Sequence, residues 1–318
     1  MNRSVDILLA SYQGEKYLTE QIKSILNQSH KDLRLIIRDD GSTDQTRGLI
    51  ESICKQKPSK VILLPDDSNL GIKGNFSALM QHAQADYIMF SDQDDVWYAD
   101  KVEKTLAKMY EMESEHSQEC PILIHTDLTV ADSHLEVIDP SFWKHSGLRP
   151  RHCSSFHRLL VQNVVTGCTM MINKPLLTLA APIPQEAVVH DWWIGLVAAA
   201  FGKIGRVEQP TMLYRQHHNN AIGVRKNPGW LNLIGMLLRP LQSGLTPYEK
   251  QKIDEAKAFY KRYENHLTQE QKTLLKDYVA YPSSSFVKKR QLVLKHGLFS
   301  NNPYKNILSL LWDISAIP

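Results

Sequence analysis

The sequence predicts an α/β protein built on a mostly parallel, doubly wound sheet. Three observations lead there. Strand-like apolar runs alternate with helix-like segments four times in the first hundred residues. Acidic residues rather than glycines mark the ends of the runs, which is where an open α/β sheet collects its ligands. A 318-residue chain with 42% hydrophobic and 22% charged residues has the composition of an ordinary globular protein, long enough for one large α/β domain with extra helices.

Val5-Asp6-Ile7-Leu8-Leu9-Ala10 reads as a buried first strand, closed by the turn Ser11-Tyr12-Gln13-Gly14. Tyr17, Leu18, Ile22, Ile25 and Leu26 then recur at helical spacing, with Glu15 where a carboxylate suits the helix dipole. Leu33–Ile37 is a second strand, ending in Arg38-Asp39-Asp40-Gly41-Ser42-Thr43-Asp44, and a cap for the next helix is expected among Ser42, Thr43 and Asp44. Val61–Leu64 is the third strand, and Asn69-Leu70-Gly71-Ile72-Lys73-Gly74-Asn75 turns into a third helix. The fourth strand, Tyr87–Phe90, runs into Ser91-Asp92-Gln93-Asp94-Asp95-Val96-Trp97, with three carboxylates in four positions. If that stretch stays extended, Asp92 and Asp94 project to one face, and two converging carboxylates call for a cation. Hard oxygen ligands suit Mg²⁺ or Mn²⁺ carrying phosphate oxygens, whereas a solvated acidic turn is the plainer alternative.

No turn contains G-x-G-x-x-G or G-x-x-x-x-G-K-[ST], which disfavours a dinucleotide oxidoreductase and a phosphate-loop NTPase. Cys54, Cys120, Cys153 and Cys168 are scattered without metal-type pairing and read as free thiols of a reducing compartment. No run of about 18 apolar residues is present, and the first residues lack a signal-peptide layout. A cytoplasmic protein, peripheral at the inner membrane face at most, is therefore expected.

Further on, Ile122–Asp127 reads as a strand ending in polar groups, and Asn163–Ile172 as a polar turn followed by an apolar strand. His190-Asp191-Trp192-Trp193-Ile194 opens a buried helix, with Asp191 as a plain N-cap or as a catalytic acid or base. Tyr214-Arg215-Gln216-His217-His218 is a dense polar cluster, and its two histidines point apart if extended. Charge divides the chain. Residues 1–224 hold 22 Lys and Arg against 27 Asp and Glu, while residues 225–318 hold 15 against 7. A catalytic domain over 1–224 and a basic, mainly helical extension over 225–318 follow. The extension contains an apolar segment around Trp230–Leu238 and a basic one at Phe286–Lys295, suited equally to packing and to anionic lipid.

Taken together, the motifs from Val5 to about Gly223 resemble the family 2 glycosyltransferases of the GT-A fold. The pieces are Ala10-Ser11-Tyr12 with Gly14-Glu15-Tyr17-Leu18, Asp39-Asp40-Gly41-Ser42-Asp44, Asn69-Gly71-Asn75 and Ser91–Trp97. Thr166-Gly167, His190-Asp191-Trp192 and Tyr214–His217 are most similar to bacterial rhamnosyltransferases of cell-wall or capsular polysaccharide. The resemblance implies a Rossmann-like sheet with helices on both faces. It also implies inverting transfer of a sugar, dTDP-L-rhamnose as donor, and a polysaccharide or lipid-linked oligosaccharide as acceptor. UDP-galactose, UDP-glucose or UDP-N-acetylglucosamine is the alternative donor. By the same resemblance Ser11, Tyr12 and Glu15 border the nucleotide, and Asp40 accepts from the pyrimidine N–H. Asp92 lies near ribose or metal. Asp94 is the main ligand of Mg²⁺ or Mn²⁺, His217 completes the metal shell, and Arg215 pairs with the diphosphate. Asp191 is the general base, although His190 stands where many relatives carry Glu.

An inverting transfer needs one carboxylate within reach of the acceptor hydroxyl and a cation on the leaving group, unlike the two-carboxylate site of most glycoside hydrolases. A metal-dependent phosphohydrolase or nucleotidyltransferase would also use Asp92 and Asp94, yet would not need a distant base such as Asp191. A silent sugar-binding scaffold would tolerate Asp191→Asn. No nucleic-acid partner is expected.

Overall fold

The structure is a computed structural model that describes residues 4–66, 68–217 and 245–303, with 306, 307 and 310. It divides into two compact units. The first comprises residues 1–144, 165–183 and 189–224; the second comprises 145–164, 184–188 and 225–318. The second unit thus takes in two segments from inside the region expected to form the catalytic domain. His218 and the apolar segment Trp230–Leu238 lie outside the described residues.

The first unit holds the sheet. Its strands are β1 (Val5–Ser11), β2 (Leu33–Asp39), β3 (Val61–Leu63), β4 (Tyr87–Ser91), β5 (Val96–Trp97), β6 (Ile122–Ala131), β7 (Val137–Asp139), β8 (Met171–Asn173) and β9 (Lys203–Arg215). They are ordered β3-β2-β1-β4-β8-β6-β9-β5, with β7 on β6. The pairs β1–β2, β2–β3 and β1–β4 are parallel, as the alternation of strand and helix requires. Beyond β4 the sheet becomes mixed, because β8 joins β4 to β6 in antiparallel register while β9 runs parallel to β6.

Helix α1 (Leu18–Leu26) buries Leu18, Ile22 and Ile25, an i, i+4, i+7 stripe that packs with Ile7, Leu9, Leu35 and Ile37 in the core. Helices α2 (Thr46–Gln56), α3 (Gly71–His82) and α4 (Lys101–His116) complete the crossovers. The cap position of α2 is Gln45, one residue past the Ser42–Asp44 stretch expected to supply it, and makes no side-chain cap bond; Asp44, just before it, accepts the Thr46 N–H at 3.0 Å. Strand β6 runs four residues past the polar groups expected to end it. Two of its polar side chains find buried partners, Thr126 Oγ1 with Thr211 Oγ1 at 2.6 Å and Asp127 with the Ser141 hydroxyl at 2.5 Å. After α5 (Phe142–His145), α6 (Pro150–Cys153), α7 (Phe156–Val161) and α8 (Lys174–Ala180) comes α9 (His190–Phe201), with Trp192, Trp193, Ile194, Leu196 and Val197 buried.

The second unit is helical, with α10 (Pro247–Tyr263), α11 (Gln269–Ala280) and α12 (Phe286–His296). Thr246 and Thr268 open α10 and α11 with reciprocal capping boxes to Glu249 and Gln271. Ala256, Phe259, Tyr263, Leu275 and Tyr278 are among its buried apolar residues, and the Tyr278 hydroxyl donates to the Leu160 carbonyl at 2.6 Å.

Candidate functional site

The chain moves outward from β1 through β2 to β3, then returns to place β4 on the other side of β1. Such a reversal opens a crevice at the carboxyl ends of the two central strands. Those ends are Ser11 and Ser91, each followed by a predicted motif. Gln93 joins them: its amide donates to the Tyr12 carbonyl and accepts from the Tyr12 N–H, both at 2.8 Å. Gly14 is needed beside this clasp, since a Cβ there would lie 2.3 Å from Gln93 Oε1. Nothing in the residue pattern marked Gln93, because an amide that pairs with a backbone 81 residues away leaves no periodic trace.

Ser11 donates to Asp39 Oδ1 at 3.0 Å, and Asp39 also receives the Ser42 N–H and hydroxyl. Asp40 is buried and holds three donors: Arg38 Nη1 at 2.7 Å, the Leu70 N–H at 2.8 Å and the Gly71 N–H at 2.9 Å. A carboxylate offers about four acceptor sites, so one more is left for a base N–H. Glu15 accepts the Gln45 N–H at 2.9 Å at the mouth of α2, and the Tyr12 ring is exposed.

The acidic stretch leaves the strand as a turn before β5, so its carboxylates do not keep the alternation of an extended chain. Asp92 groups with Asp95 and Cys168, their ligating atoms all within 4.8 Å of one another. Asp94 instead meets His217, Oδ2 to Nε2, at 2.9 Å. Asp95 is fully buried. One of its oxygens accepts the Arg215 N–H at 3.2 Å, and the other has no partner. Burial first, then the Asp94 and Asp191 carboxylates, push Asp92 up to about 7; burial first, then the Asp94 and Asp92 carboxylates, raise Asp95 well above the carboxylate range. One positive charge opposes them from below. Lys101 is fully buried, donates to the Cys168 carbonyl at 2.8 Å and lies 4.5 Å from the Trp97 ring centre; burial lowers it to about 8. This buried ammonium was not singled out from the sequence, where it reads as one more surface lysine opening a helix.

Asp191 is the second residue of α9, and its carboxylate accepts the Gly167 N–H at 2.8 Å. It is not an N-cap, since the cap position is Val189 and makes no side-chain bond. Asp191 and Asp92 therefore share one site, close enough that the first raises the pKa of the second. His190 stacks on Phe76 with ring centroids 3.9 Å apart, and neither ring nitrogen has a partner. Arg215 is buried, and each guanidinium nitrogen donates to a protein oxygen: Nε to the Asp94 carbonyl, Nη1 to the Ser133 carbonyl and Nη2 to Glu20.

A divalent cation fits this donor set. The 2.9 Å between Asp94 Oδ2 and His217 Nε2 is close to the roughly 3 Å separating neighbouring ligands in an octahedral shell with bonds of about 2.1 Å. On the neighbouring group, the raised Asp92 and the unpartnered oxygen of Asp95 show carboxylates crowded together without enough opposing charge.

The model of glycosyl transferase family 2 matches residues 6–136, from β1 through the acidic turn into the β6–β7 loop. The dTDP-rhamnosyl transferase RfbG of Shigella flexneri is 31% identical over 227 residues, covering 68% of this chain and 73% of that protein. The chain belongs to glycosyl transferase family 2. The Escherichia coli UDP-Glc:alpha-D-GlcNAc-diphosphoundecaprenol beta-1,3-glucosyltransferase WfgD is 30% identical over 105 residues, 33% of this chain and 40% of that one. Among solved structures, S. aureus TarS residues 1–349, in complex with UDP-GlcNAc, superposes with a TM-score of 0.56 at 13% identity, covering 92% of this chain and 80% of that one. The fold is accordingly of the GT-A type. This family 2 member is an inverting-type nucleotide-sugar transferase with an Asp-based candidate metal site.

Proposed function

We propose that the chain transfers one sugar from a pyrimidine-nucleotide donor to an acceptor hydroxyl, with Asp191 as the base and a divalent cation held by Asp94 and His217, with Asp92 beside them. The observation that carries this reading is the convergence of Asp191 and the acidic turn on one loop: Asp191 accepts the Gly167 N–H, and the ligating atom of the next residue, Cys168, lies within 4.8 Å of those of Asp92 and Asp95. In the reaction the acceptor oxygen bonds to the anomeric carbon, the bond from that carbon to the diphosphate oxygen breaks on the opposite face, and the hydroxyl proton passes to Asp191. The Gly167 N–H bond holds the Asp191 carboxylate in place at the start of α9. A bound cation would neutralise the charge that grows on the leaving diphosphate, so no protein acid is required there. Asp40 would take the pyrimidine N–H at its remaining acceptor site, and Ser11, Tyr12 and Glu15 would border the nucleotide.

Uracil and thymine present the same N–H to Asp40, so this contact selects a pyrimidine and not a sugar. We place a UDP-hexose first, as the donor class named for the WfgD glucosyltransferase relative. A dTDP-rhamnose donor is favoured by the longer alignment with RfbG. The relatives also support a lipid-linked or polysaccharide acceptor. No helix among the described residues is long and apolar enough to cross a membrane. A peripheral contact would fall to α12, where Phe286, Val287 and Leu294 are exposed beside Lys288, Arg290 and Lys295. Binding to phosphatidylglycerol vesicles at low salt, lost on replacing those three apolar residues by Ser, is expected, and equal binding by the substituted chain would remove α12 from the account.

The test is a donor screen with Mn²⁺. UDP-hexoses and dTDP-rhamnose are offered with and without a diphosphate-lipid saccharide, and nucleoside diphosphate release is followed. Acceptor-dependent release, reduced about 10²–10⁴-fold in Asp191→Asn, is expected. Release that ignores the acceptor would instead indicate a phosphohydrolase.

A further inference from the structure

We propose that Tyr17, Glu20 and Arg215 form a latch that sets Asp94 and His217 in place, so that Arg215 is a positioning residue and not a ligand of the diphosphate. The inference rests on the metal role given above to Asp94 and His217. Arg215 ends β9 with only 3% of its surface exposed. Its Nε donates to the Asp94 carbonyl at 2.8 Å, Nη1 to the Ser133 carbonyl at 2.9 Å and Nη2 to Glu20 Oε2 at 2.5 Å, while its backbone N–H donates to Asp95 at 3.2 Å. One side chain thereby joins the start of α1, the acidic turn and the β6–β7 loop.

The ring of Tyr17 is the second half of the latch. The Arg215 guanidinium lies 4.4 Å from its centre, and His217 stacks on it with centroids 4.9 Å apart at 29°. Arg215 ends β9 and His217 lies two residues beyond it, and the Tyr17 ring at the start of α1 reaches both. A planar, always-charged fork suits such a junction, because it bonds in three directions and lies flat on an aromatic face at once. Swinging the guanidinium onto a phosphate would abandon the Asp94 carbonyl and the Glu20 carboxylate together, and would release the turn that carries a metal ligand. Outer groups that orient a metal's ligands are worth roughly 10–100-fold in metal affinity.

The experiment measures Mn²⁺ binding to the full chain by electron paramagnetic resonance, without nucleotide, beside activity over a range of Mn²⁺ concentration. Glu20→Gln and Tyr17→Leu should each weaken Mn²⁺ binding roughly 10-fold or more, and raising Mn²⁺ should return their turnover toward wild type. Tyr17→Phe, which keeps the ring, should bind Mn²⁺ as wild type does. Glu20 is half in solvent, so its variant tests the latch even where Tyr17→Leu disturbs folding. If Glu20→Gln and Tyr17→Leu bind Mn²⁺ normally while wild type binds it, the latch is wrong and the metal reading stands. If wild type binds no Mn²⁺, the metal reading falls and the latch falls with it. Arg215→Lys that keeps Mn²⁺ affinity but loses donor binding at every Mn²⁺ concentration would return Arg215 to the diphosphate.

Discussion

Gly167 sits against the two side chains that open α9. A Cβ there would lie 2.6 Å from His190 Nε2 and 3.3 Å from Asp191 Oδ2. The imidazole is stacked on Phe76, so Gly167→Ala should displace Asp191, the proposed base. We expect turnover to fall on the order of 10²-fold, the cost typical of an ångström-scale misplacement, with the chain still folded. Steady-state kinetics beside circular dichroism check this, and unchanged turnover would detach Asp191 from catalysis. His125 makes a different case. It is fully buried, has no partner at either ring nitrogen, and is lowered to about 3 by burial and, to a lesser degree, by Arg206. The unfolded chain takes up this proton near pH 6.5 and the folded chain only near 3, so stability is intact above 6.5 and declines as pH falls below it. At pH 5 the loss attributable to His125 is about 2 kcal/mol. Urea unfolding of His125→Leu should therefore show a shallower acid slope than wild type between pH 7 and 5. An identical slope would mean the ring is protonated, or partnered, inside the fold.

At the level of elements, the two strand ends that frame the crevice are tied by the clasp of Gln93 on the Tyr12 backbone. Two such bonds are worth about 1–3 kcal/mol together. Gln93→Ala should cost that much stability in denaturant titration and raise the donor KM more than it lowers kcat, since the base lies on another element. A loss confined to kcat would contradict the clasp's placement at the nucleotide. The helices and parallel strands of this region were legible because their signals are local: Ile22 and Ile25 of α1 and the apolar run of β1 show the fold in their spacing alone. The acidic turn was legible as chemistry and not as geometry. Three acids in four positions announced a cation site, but the turn sends Asp92 toward Asp95 and Cys168 and Asp94 toward His217, which a strand-like reading cannot foresee.

For the whole molecule, the unforeseen features all depend on contacts between distant parts of the chain. Lys101 reaches the Cys168 carbonyl 67 residues away, Arg215 reaches Glu20 across 195, and the antiparallel insertion of β8 turns a parallel sheet into a mixed one. Family motifs located Asp191 where periodicity alone favoured a helix cap, and the structure then removed the cap reading by pairing the carboxylate with Gly167. On the proposed reading these contacts set one carboxylate base opposite one cation site, an arrangement that would commit the reaction to a single displacement at the anomeric carbon. The most direct measurement is proton NMR of the first product formed from whichever donor is consumed, read for the configuration of the transferred sugar. A configuration opposite to that of the donor is expected. Retention would require a second displacement on the same carbon and would contradict the assignment of Asp191 as a base acting alone.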